Sequence, residues 1–84
     1  MIPFLDLKAI NAQYRKELIT AATRVIDSGW FLQGQEVASF EQEFAEYCGT
    51  KYCIGVANGL DALTLTLWAW KELGKLKAGD EVIV

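Results

Sequence analysis

The sequence predicts an α/β fold in which helices alternate with buried parallel strands. Two amphipathic helices come first, over residues 7–27 and 36–48. Two short apolar runs follow at residues 51–57 and 81–84, with a helical segment between them. Two strands separated by a helix indicate a βαβ unit with a right-handed crossover. Because two such strands cannot cover both faces of a sheet, we expect further strands after them.

The first predicted helix covers residues 7–27. Its apolar residues recur in steps of three and four and so share one helix face; they are Ile10, Tyr14, Leu18, Ala21 or Ala22, and Val25 with Ile26. Asp6 precedes this pattern and is expected to cap the helix, because its carboxylate accepts hydrogen bonds from free N–H groups of the first turn. Gly29 follows Ser28 and is expected to end the helix in a left-handed conformation.

The segment 30–35, with the sequence WFLQGQ, is predicted to be a loop. Its two adjacent aromatic residues, Trp30 and Phe31, allow two interpretations. They pack beneath the loop, as large apolar side chains commonly do, or they line a pocket or a subunit contact, where aromatic residues are enriched. The residues alone leave both interpretations open.

The second predicted helix covers residues 36–48 and is ended by Gly49. One stripe of this helix is apolar and the opposite side carries glutamates; the stripe consists of Val37, Phe40, Phe44 and Tyr47. We interpret the glutamates as an ordinary solvated face.

The third predicted helix covers residues 60–73. Residues 63–67 alternate apolar and polar side chains, which also suits a strand. The length of the segment, the start at Asp61-Ala62 and the position of Gly74 at the expected C-terminal cap favour a helix.

The junction before this third helix is a candidate anion site. Asn58-Gly59 ends the apolar run, and the helix begins near Asp61. Free N–H groups and the helix dipole at such a point attract phosphate, and Gly59 allows a sharp turn and a close approach of a ligand. Most junctions of this kind only connect a strand to a helix, and that interpretation stays open. Asp61 either caps the helix or faces a ligand, and capping is the commoner role.

Composition excludes several classes of function. The net charge of −3 and the lack of a basic cluster argue against nucleic acid as a partner. The chain has no apolar run near the roughly 20 residues of a membrane span, no secretory signal pattern and no histidine. Two cysteines make neither a disulfide framework nor a zinc site, and the spacing of Gly55 and Gly59 does not fit a Rossmann motif. We expect a cytoplasmic protein without a metal site.

The chain is short for its apolar content. Its 84 residues are 52% hydrophobic and include three tryptophans, whereas a domain of this size buries only about 60% of its unfolded surface. The sequence also ends inside the apolar run 81–84. We therefore expect residues 1–84 to be the amino-terminal portion of a single larger domain, truncated at Val84.

Six short motifs, taken in order, resemble one enzyme family. They are PFLDL at residues 3–7, Ser28-Gly29 followed by aromatics, Gly34 with Phe40-Glu41, FAEYCG at 44–49, ANGLDAL at 57–63 and GDEVIV at 79–84. In this order and spacing the chain resembles the amino-terminal segment of the DegT/DnrJ/StrS nucleotide-sugar aminotransferases. The resemblance covers the whole chain and is closest to the branch that aminates dTDP-3-keto-6-deoxyhexoses.

The resemblance implies a fold, a cofactor and binding residues. The fold would be the large domain of the aspartate-aminotransferase type (fold type I), and the cofactor pyridoxal 5'-phosphate. By position, Gly59, Leu60 and Asp61 would hold the cofactor phosphate through backbone amides. Trp30 and Phe31 would approach the substrate across the interface of a homodimer. The lysine that binds the cofactor lies beyond Val84 in the family, so no catalytic residue is assigned and the 84 residues alone are expected to be inactive.

The resemblance also implies a reaction. The parent protein would move an amino group from glutamate to a keto group of a nucleotide-linked deoxysugar, for lipopolysaccharide O-antigen or S-layer glycans. Two alternatives remain open. A dehydratase branch of the same family uses the same cofactor without the lysine. A non-catalytic fragment would instead serve as an interaction module whose apolar face is covered by a partner.

Overall fold

A computed structural model describes residues 1–84, which contain four α-helices. Helix α1 spans Leu7–Ala12, α2 spans Arg15–Ser28, α3 spans Gln35–Cys48 and α4 spans Gly59–Glu72. The chain divides into two units. The first, Met1–Tyr52, contains α1 to α3, and the second, Cys53–Val84, contains α4.

The first predicted helix is interrupted, so its extent as a single helix over residues 7–27 was wrong. At the break, the N–H of Gln13 donates to the carbonyl of Ile10 and that of Tyr14 to the carbonyl of Asn11, at 3.3 and 3.0 Å. These bonds span three residues, as in the tighter 3₁₀ geometry. The four-residue pattern resumes when the N–H of Leu18 donates to the carbonyl of Tyr14 at 2.9 Å. The apolar spacing continues through this break, because a single tightened turn changes the register little.

The predicted helix ends are confirmed where the sequence marks them with Asp or Gly. Oδ1 of Asp6 accepts the N–H of Ala9 at 3.0 Å and caps α1. Gly29 and Gly49 follow α2 and α3 in the left-handed conformation, with φ of 65° and 70°. Glycine takes this conformation without the steric cost that a Cβ brings.

Helix α4 settles the ambiguity at residues 63–67 in favour of a helix. Oγ1 of Thr66 donates to the carbonyl of Ala62, one turn earlier, at 2.7 Å, so this polar side chain is satisfied within the helix. The helix ends at Glu72. Gly74 follows with φ of 72°, and the N–H of Lys75 donates back to the carbonyl of Trp70 at 2.9 Å.

The strands predicted at residues 51–57 and 81–84 are not formed, and this part of the α/β prediction was wrong for these 84 residues. Neither segment belongs to a β ladder. A strand exists only through backbone hydrogen bonds to a neighbouring strand, which an apolar sequence cannot supply by itself. Side chains expected to be buried are correspondingly exposed, as Ile54 is at 78%.

The helices leave most apolar side chains uncovered. Ala45, on α3, is the one buried residue, at 6% exposure. Aromatic rings stack along α3, with centroids 5.4 Å apart for Phe40 and Phe44, which confirms that the predicted stripe shares one helix face. These residues therefore form helices with local contacts and without a closed core.

Candidate functional site

The amino-terminal end of α4 is held by Asn58. Oδ1 of Asn58 accepts the N–H of Asp61 at 2.9 Å, and the carbonyl of Asn58 accepts the N–H of Ala62 at 3.1 Å. Asn58 itself is extended, with φ of −163° and ψ of 176°. The capping role considered for Asp61 was therefore wrong. Asparagine directly before a helix is among the preferred caps, so the signal was present in the sequence.

Two backbone donors at this end are free. The N–H groups of Gly59 and Leu60 have no hydrogen-bond partner within the chain, as expected for the first turn of a helix. The N–H of Asp61 is already bound by Asn58. Of the three amides predicted to bind phosphate, two are therefore available and one is engaged.

The space around Gly59 is open. A Cβ added at Gly59 would meet no other atom within 4 Å, so a ligand can reach the backbone from this side. Gly59 is not in the left-handed region, and the sharp turn expected there does not require glycine. Two free N–H groups, a helix dipole and open access fit a phosphate group. The carboxylate of Asp61, in the same first turn, opposes an anion and limits this attraction.

The loop between α2 and α3 contains Trp30 and Phe31, in the first unit. Oγ of Ser28 donates to the carbonyl of Val25 at 2.7 Å and accepts the N–H of Trp30 at 3.1 Å. The indole Nε1 of Trp30 donates to the carbonyl of Leu32 at 2.6 Å. These hydrogen bonds join residues two or three positions apart, so the backbone turns sharply directly after α2.

The aromatic side chains of this loop are exposed within residues 1–84. Trp30 is 69% exposed and Phe31 66%, so neither packs beneath the loop. Trp30 lies at the edge of an open groove that Arg24 and Glu36 also line, whereas Phe31 does not reach that groove. Contacts of either side chain with a substrate remain a prediction.

An ion pair joins the two helices that flank the loop. Arg24 on α2 donates through Nε and Nη2 to the two carboxylate oxygens of Glu36 on α3, the Nη2 bond measuring 3.0 Å. The hydrogen bond from Arg24 lowers the pKa of Glu36 and raises that of Arg24. Two parallel bonds between planar groups fix orientation as well as distance. The pair therefore ties the start of α3 to α2.

Other side chains that often carry chemistry form no cluster. Residues 1–84 contain no group of three or more His, Cys, Asp or Glu arranged to hold a metal ion. Cys48 and Cys53 are both free thiols. None of the four helices combines the length and the apolar character needed to cross a bilayer.

Comparisons with known proteins agree on one family. Residues 12–84 match the DegT/DnrJ/EryC1/StrS aminotransferase family. The chain is 61% identical to a dTDP-3-amino-3,6-dideoxy-alpha-D-galactopyranose transaminase of Aneurinibacillus thermoaerophilus, over all of this chain and 22% of the relative. It is 51% identical to a dTDP-3-amino-3,4,6-trideoxy-alpha-D-glucose transaminase of Streptomyces venezuelae, over 99% of this chain and 21% of the relative. It is also 45% identical to a GDP-4-keto-6-deoxy-D-mannose 3-dehydratase of Yersinia pseudotuberculosis, over 95% of this chain and 21% of the relative.

No solved structure matches the chain. The chain spans about one fifth of the length of these relatives: 22% of the first and 21% of the second. The match nevertheless extends through the loop of Trp30 and the amino-terminal end of α4. The chain belongs to the DegT/DnrJ/EryC1/StrS aminotransferase family.

Proposed function

We propose that the protein containing these residues is a pyridoxal-phosphate-dependent aminotransferase acting on a nucleotide-linked sugar. The observation that carries the proposal is the 61% identity to a sugar transaminase along all 84 residues. The DegT/StrS family depends on pyridoxal phosphate in general. The free N–H groups at the start of α4 supply a place that suits the phosphate of this cofactor.

The proposed phosphate site consists of backbone donors. Gly59 and Leu60 would bind the phosphate through their N–H groups, and Asn58 would hold the turn that aims them. Asp61 belongs to the same turn, but its N–H is engaged by Asn58, so its proposed contribution is weaker. When bound, the cofactor supplies the electron sink for amino transfer. Its reactive end would be served by residues outside the 84 described here.

The substrate proposed is a dTDP-linked 3-keto-6-deoxyhexose, with glutamate as the amino donor. Support comes from the two transaminase relatives, whose names both specify a dTDP-linked 3-amino sugar. The product would serve lipopolysaccharide O-antigen or another surface glycan, made in the cytoplasm. Trp30 and Phe31 would lie near the substrate in a homodimer. The large domain would have the fold of aspartate aminotransferase, in which residues 51–57 and 81–84 are paired as strands.

Dehydration is the second candidate, because the chain is 45% identical to a 3-dehydratase of the same family. The higher identity to the transaminases favours amino transfer. The test is to express the complete reading frame, add pyridoxal phosphate and a dTDP-3-keto-6-deoxyhexose, and supply glutamate labelled with nitrogen-15. We expect the label in the sugar product. A second sample receives a nucleotide-linked 4-keto-6-deoxyhexose, which keeps its C3 hydroxyl as in the name of the dehydratase relative; loss of that hydroxyl without label in the sugar would replace this proposal with dehydration.

The 84 residues by themselves are proposed to be inactive, because no cofactor-binding lysine is identified among them. Assay of the isolated segment with labelled glutamate checks this. Label transfer to the sugar by the segment alone would overturn the proposal. The interaction-module alternative predicts instead a defined complex of the segment with a partner that covers its exposed apolar side chains.

A further inference from the structure

The two asparagines of residues 1–84, Asn11 and Asn58, differ in the residue that follows each of them. Asparagine is among the thermolabile residues of proteins, because the next backbone nitrogen can attack the carbon of its side-chain amide. Gly59 follows Asn58 and has no Cβ to obstruct that attack, whereas Ala12 follows Asn11 and has one. Asn58 is therefore the more open of the two to attack by its neighbour.

The backbone nitrogen of Gly59 is free to react. Its N–H has no hydrogen-bond partner in the chain, and an added Cβ would meet no atom beyond its own helix and chain neighbours within 4 Å. Ala12 is instead the last residue of α1, where an N–H bonds to the carbonyl four residues earlier. The attacking nitrogen must give up its proton, which breaks a hydrogen bond at Ala12 and none at Gly59.

The side chain of Asn58 is restrained by one hydrogen bond, in which its Oδ1 accepts the N–H of Asp61 at 2.9 Å. The backbone of Asn58 is extended, with ψ of 176°, so the attack also requires a rotation that opens the first turn of α4. Loss of an asparagine cap changes such an equilibrium about 2- to 30-fold. Because Asn58 is exposed and helix ends open readily, the cap slows the attack and does not prevent it.

We propose that Asn58 is a site of spontaneous deamidation, in which the nitrogen of Gly59 closes a five-membered imide ring onto the side chain of Asn58. The bond from this nitrogen to Cγ forms as the bond from Cγ to Nδ2 breaks. Nδ2 leaves as ammonia, and the proton of the Gly59 N–H leaves with it. Water then opens the ring at one of its two carbonyl carbons. Opening at Cγ gives aspartate, and opening at the backbone carbonyl gives isoaspartate, with one extra carbon in the main chain.

The reaction changes both the charge and the backbone at the start of α4. Either product replaces the neutral amide of Asn58 with a carboxylate, in addition to that of Asp61 in the same turn. The attacking nitrogen also carries the N–H that the proposed phosphate site uses, so a bound phosphate should occupy this N–H and slow the attack. This protection rests on the proposed function, whereas the deamidation itself does not.

The test incubates the product of the complete reading frame, freed of pyridoxal phosphate, in mildly alkaline buffer and maps its peptides by mass and chromatography. We expect Asn58 to become a mixture of aspartate and isoaspartate while Asn11 stays unchanged. In urea, where the cap is open, conversion of Asn58 should be about 2- to 30-fold faster. An unchanged Asn58 in the folded protein, or equal conversion of Asn11, would overturn the proposal.

Two variants at the attacking residue identify the route. Gly59→Ala keeps the N–H and adds a Cβ, so conversion of Asn58 should be slower. Gly59→Pro has no N–H proton to lose, so no isoaspartate should form, whether or not this variant folds. Isoaspartate in Gly59→Pro, or aspartate alone in the parent protein, would overturn ring closure by Gly59.

Added pyridoxal phosphate separates the deamidation from the proposed cofactor site. At a concentration about 100 times its Kd, conversion of Asn58 should be about 100-fold slower, because only the unoccupied fraction of the protein reacts. Equal conversion with and without pyridoxal phosphate would overturn the phosphate contact of Gly59 and leave the deamidation standing.

Discussion

Oδ1 of Asn58 lies 2.9 Å from the backbone nitrogen of Asp61 and accepts its N–H, across the first turn of α4. This single bond decides which backbone groups of the turn remain free. It occupies the N–H of Asp61 and leaves the N–H groups of Gly59 and Leu60 without a partner. The candidate phosphate site therefore depends on a side chain whose oxygen is itself engaged by the backbone of the turn.

Replacing Asn58 should destabilise the start of α4. Asn58→Ala removes the cap, and the free energy of unfolding of the complete protein should fall by about 0.5–2 kcal/mol. Asn58→Ser keeps a side-chain acceptor and should restore most of the loss. Denaturant unfolding of the two variants measures the difference. Equal stability of Asn58→Ala and the parent would show that the cap bond contributes nothing.

The donor of Gly59 can be removed without breaking the helix. Proline is well tolerated at the first helical position, and Asn58 before it is extended, as proline requires of its neighbour. Gly59→Pro should weaken pyridoxal phosphate binding about 10- to 100-fold, the effect of losing a hydrogen bond to a charged group. Absorbance titration with pyridoxal phosphate gives the affinity.

Gly59→Ala is the control for that experiment, because it keeps the N–H and adds one carbon in open space. We expect binding close to that of the parent. If both variants bind equally weakly, the added atoms and not the lost donor are responsible. Parent-like affinity of Gly59→Pro would exclude the Gly59 amide from the phosphate site.

The pair of Arg24 and Glu36 predicts a pH dependence in the acid range. The pKa of Glu36 is lowered in the folded chain by the hydrogen bond from Arg24. The stabilisation that Glu36 contributes is therefore fully present above the pKa that Glu36 has in the unfolded chain. It is lost as the pH falls through the lower pKa that Glu36 has in the folded chain. The pKa of Arg24 is raised by the same pair, so this group changes charge only at strongly alkaline pH, outside the working range.

Glu36→Gln tests this pH dependence. At neutral pH the variant should melt at a lower temperature than the parent protein. This difference in melting temperature should close as the pH drops below 4.5, the ordinary pKa of a glutamate. Because both side chains are exposed, added salt should narrow the gap as well. A gap that stays constant from neutral to acid pH would contradict the role assigned to the pair.

The segments 51–57 and 81–84 should become strands in the complete protein. Their apolar residues have no ladder partner in residues 1–84, and pairing would protect their amides from exchange. Hydrogen exchange should be slow at Ile54 and Val82 in the complete protein and fast in the isolated segment. Equally fast exchange in both would reject the proposed sheet.

The helices could be predicted from sequence because their signals are local. Asp6, Gly29 and Gly49 act within one turn of their own positions. The spacing of apolar residues identifies the apolar face of a helix whether or not another element packs against it. The break at Gln13 and Tyr14 carries no such signal, since the spacing of apolar residues runs through it. The strands depend on partners elsewhere in a sheet, and an apolar run alone cannot show whether those partners are present.

The candidate site, too, could be predicted from the sequence only in part. The free amides expected at a helix start are present at Gly59 and Leu60, and their binding of phosphate stays a prediction, whereas the cap is Asn58 and not Asp61. The prediction favoured the charged residue inside the helix over the amide just before it. The self-contained contacts of Trp30 depend on the fold of a six-residue loop with Gln33 in an uncommon conformation, which the sequence does not reveal.

The way the loop after α2 is built bears on which of its positions can vary. Its backbone is held by Ser28, Trp30 and Gly34, so positions 31 and 32 contribute outward side chains without supporting the chain path. Codons 31 and 32 are thus the natural place to randomise in a library, with the three supporting residues kept constant. Duplicated genes can diverge by the same route, through two side chains on an unchanged backbone.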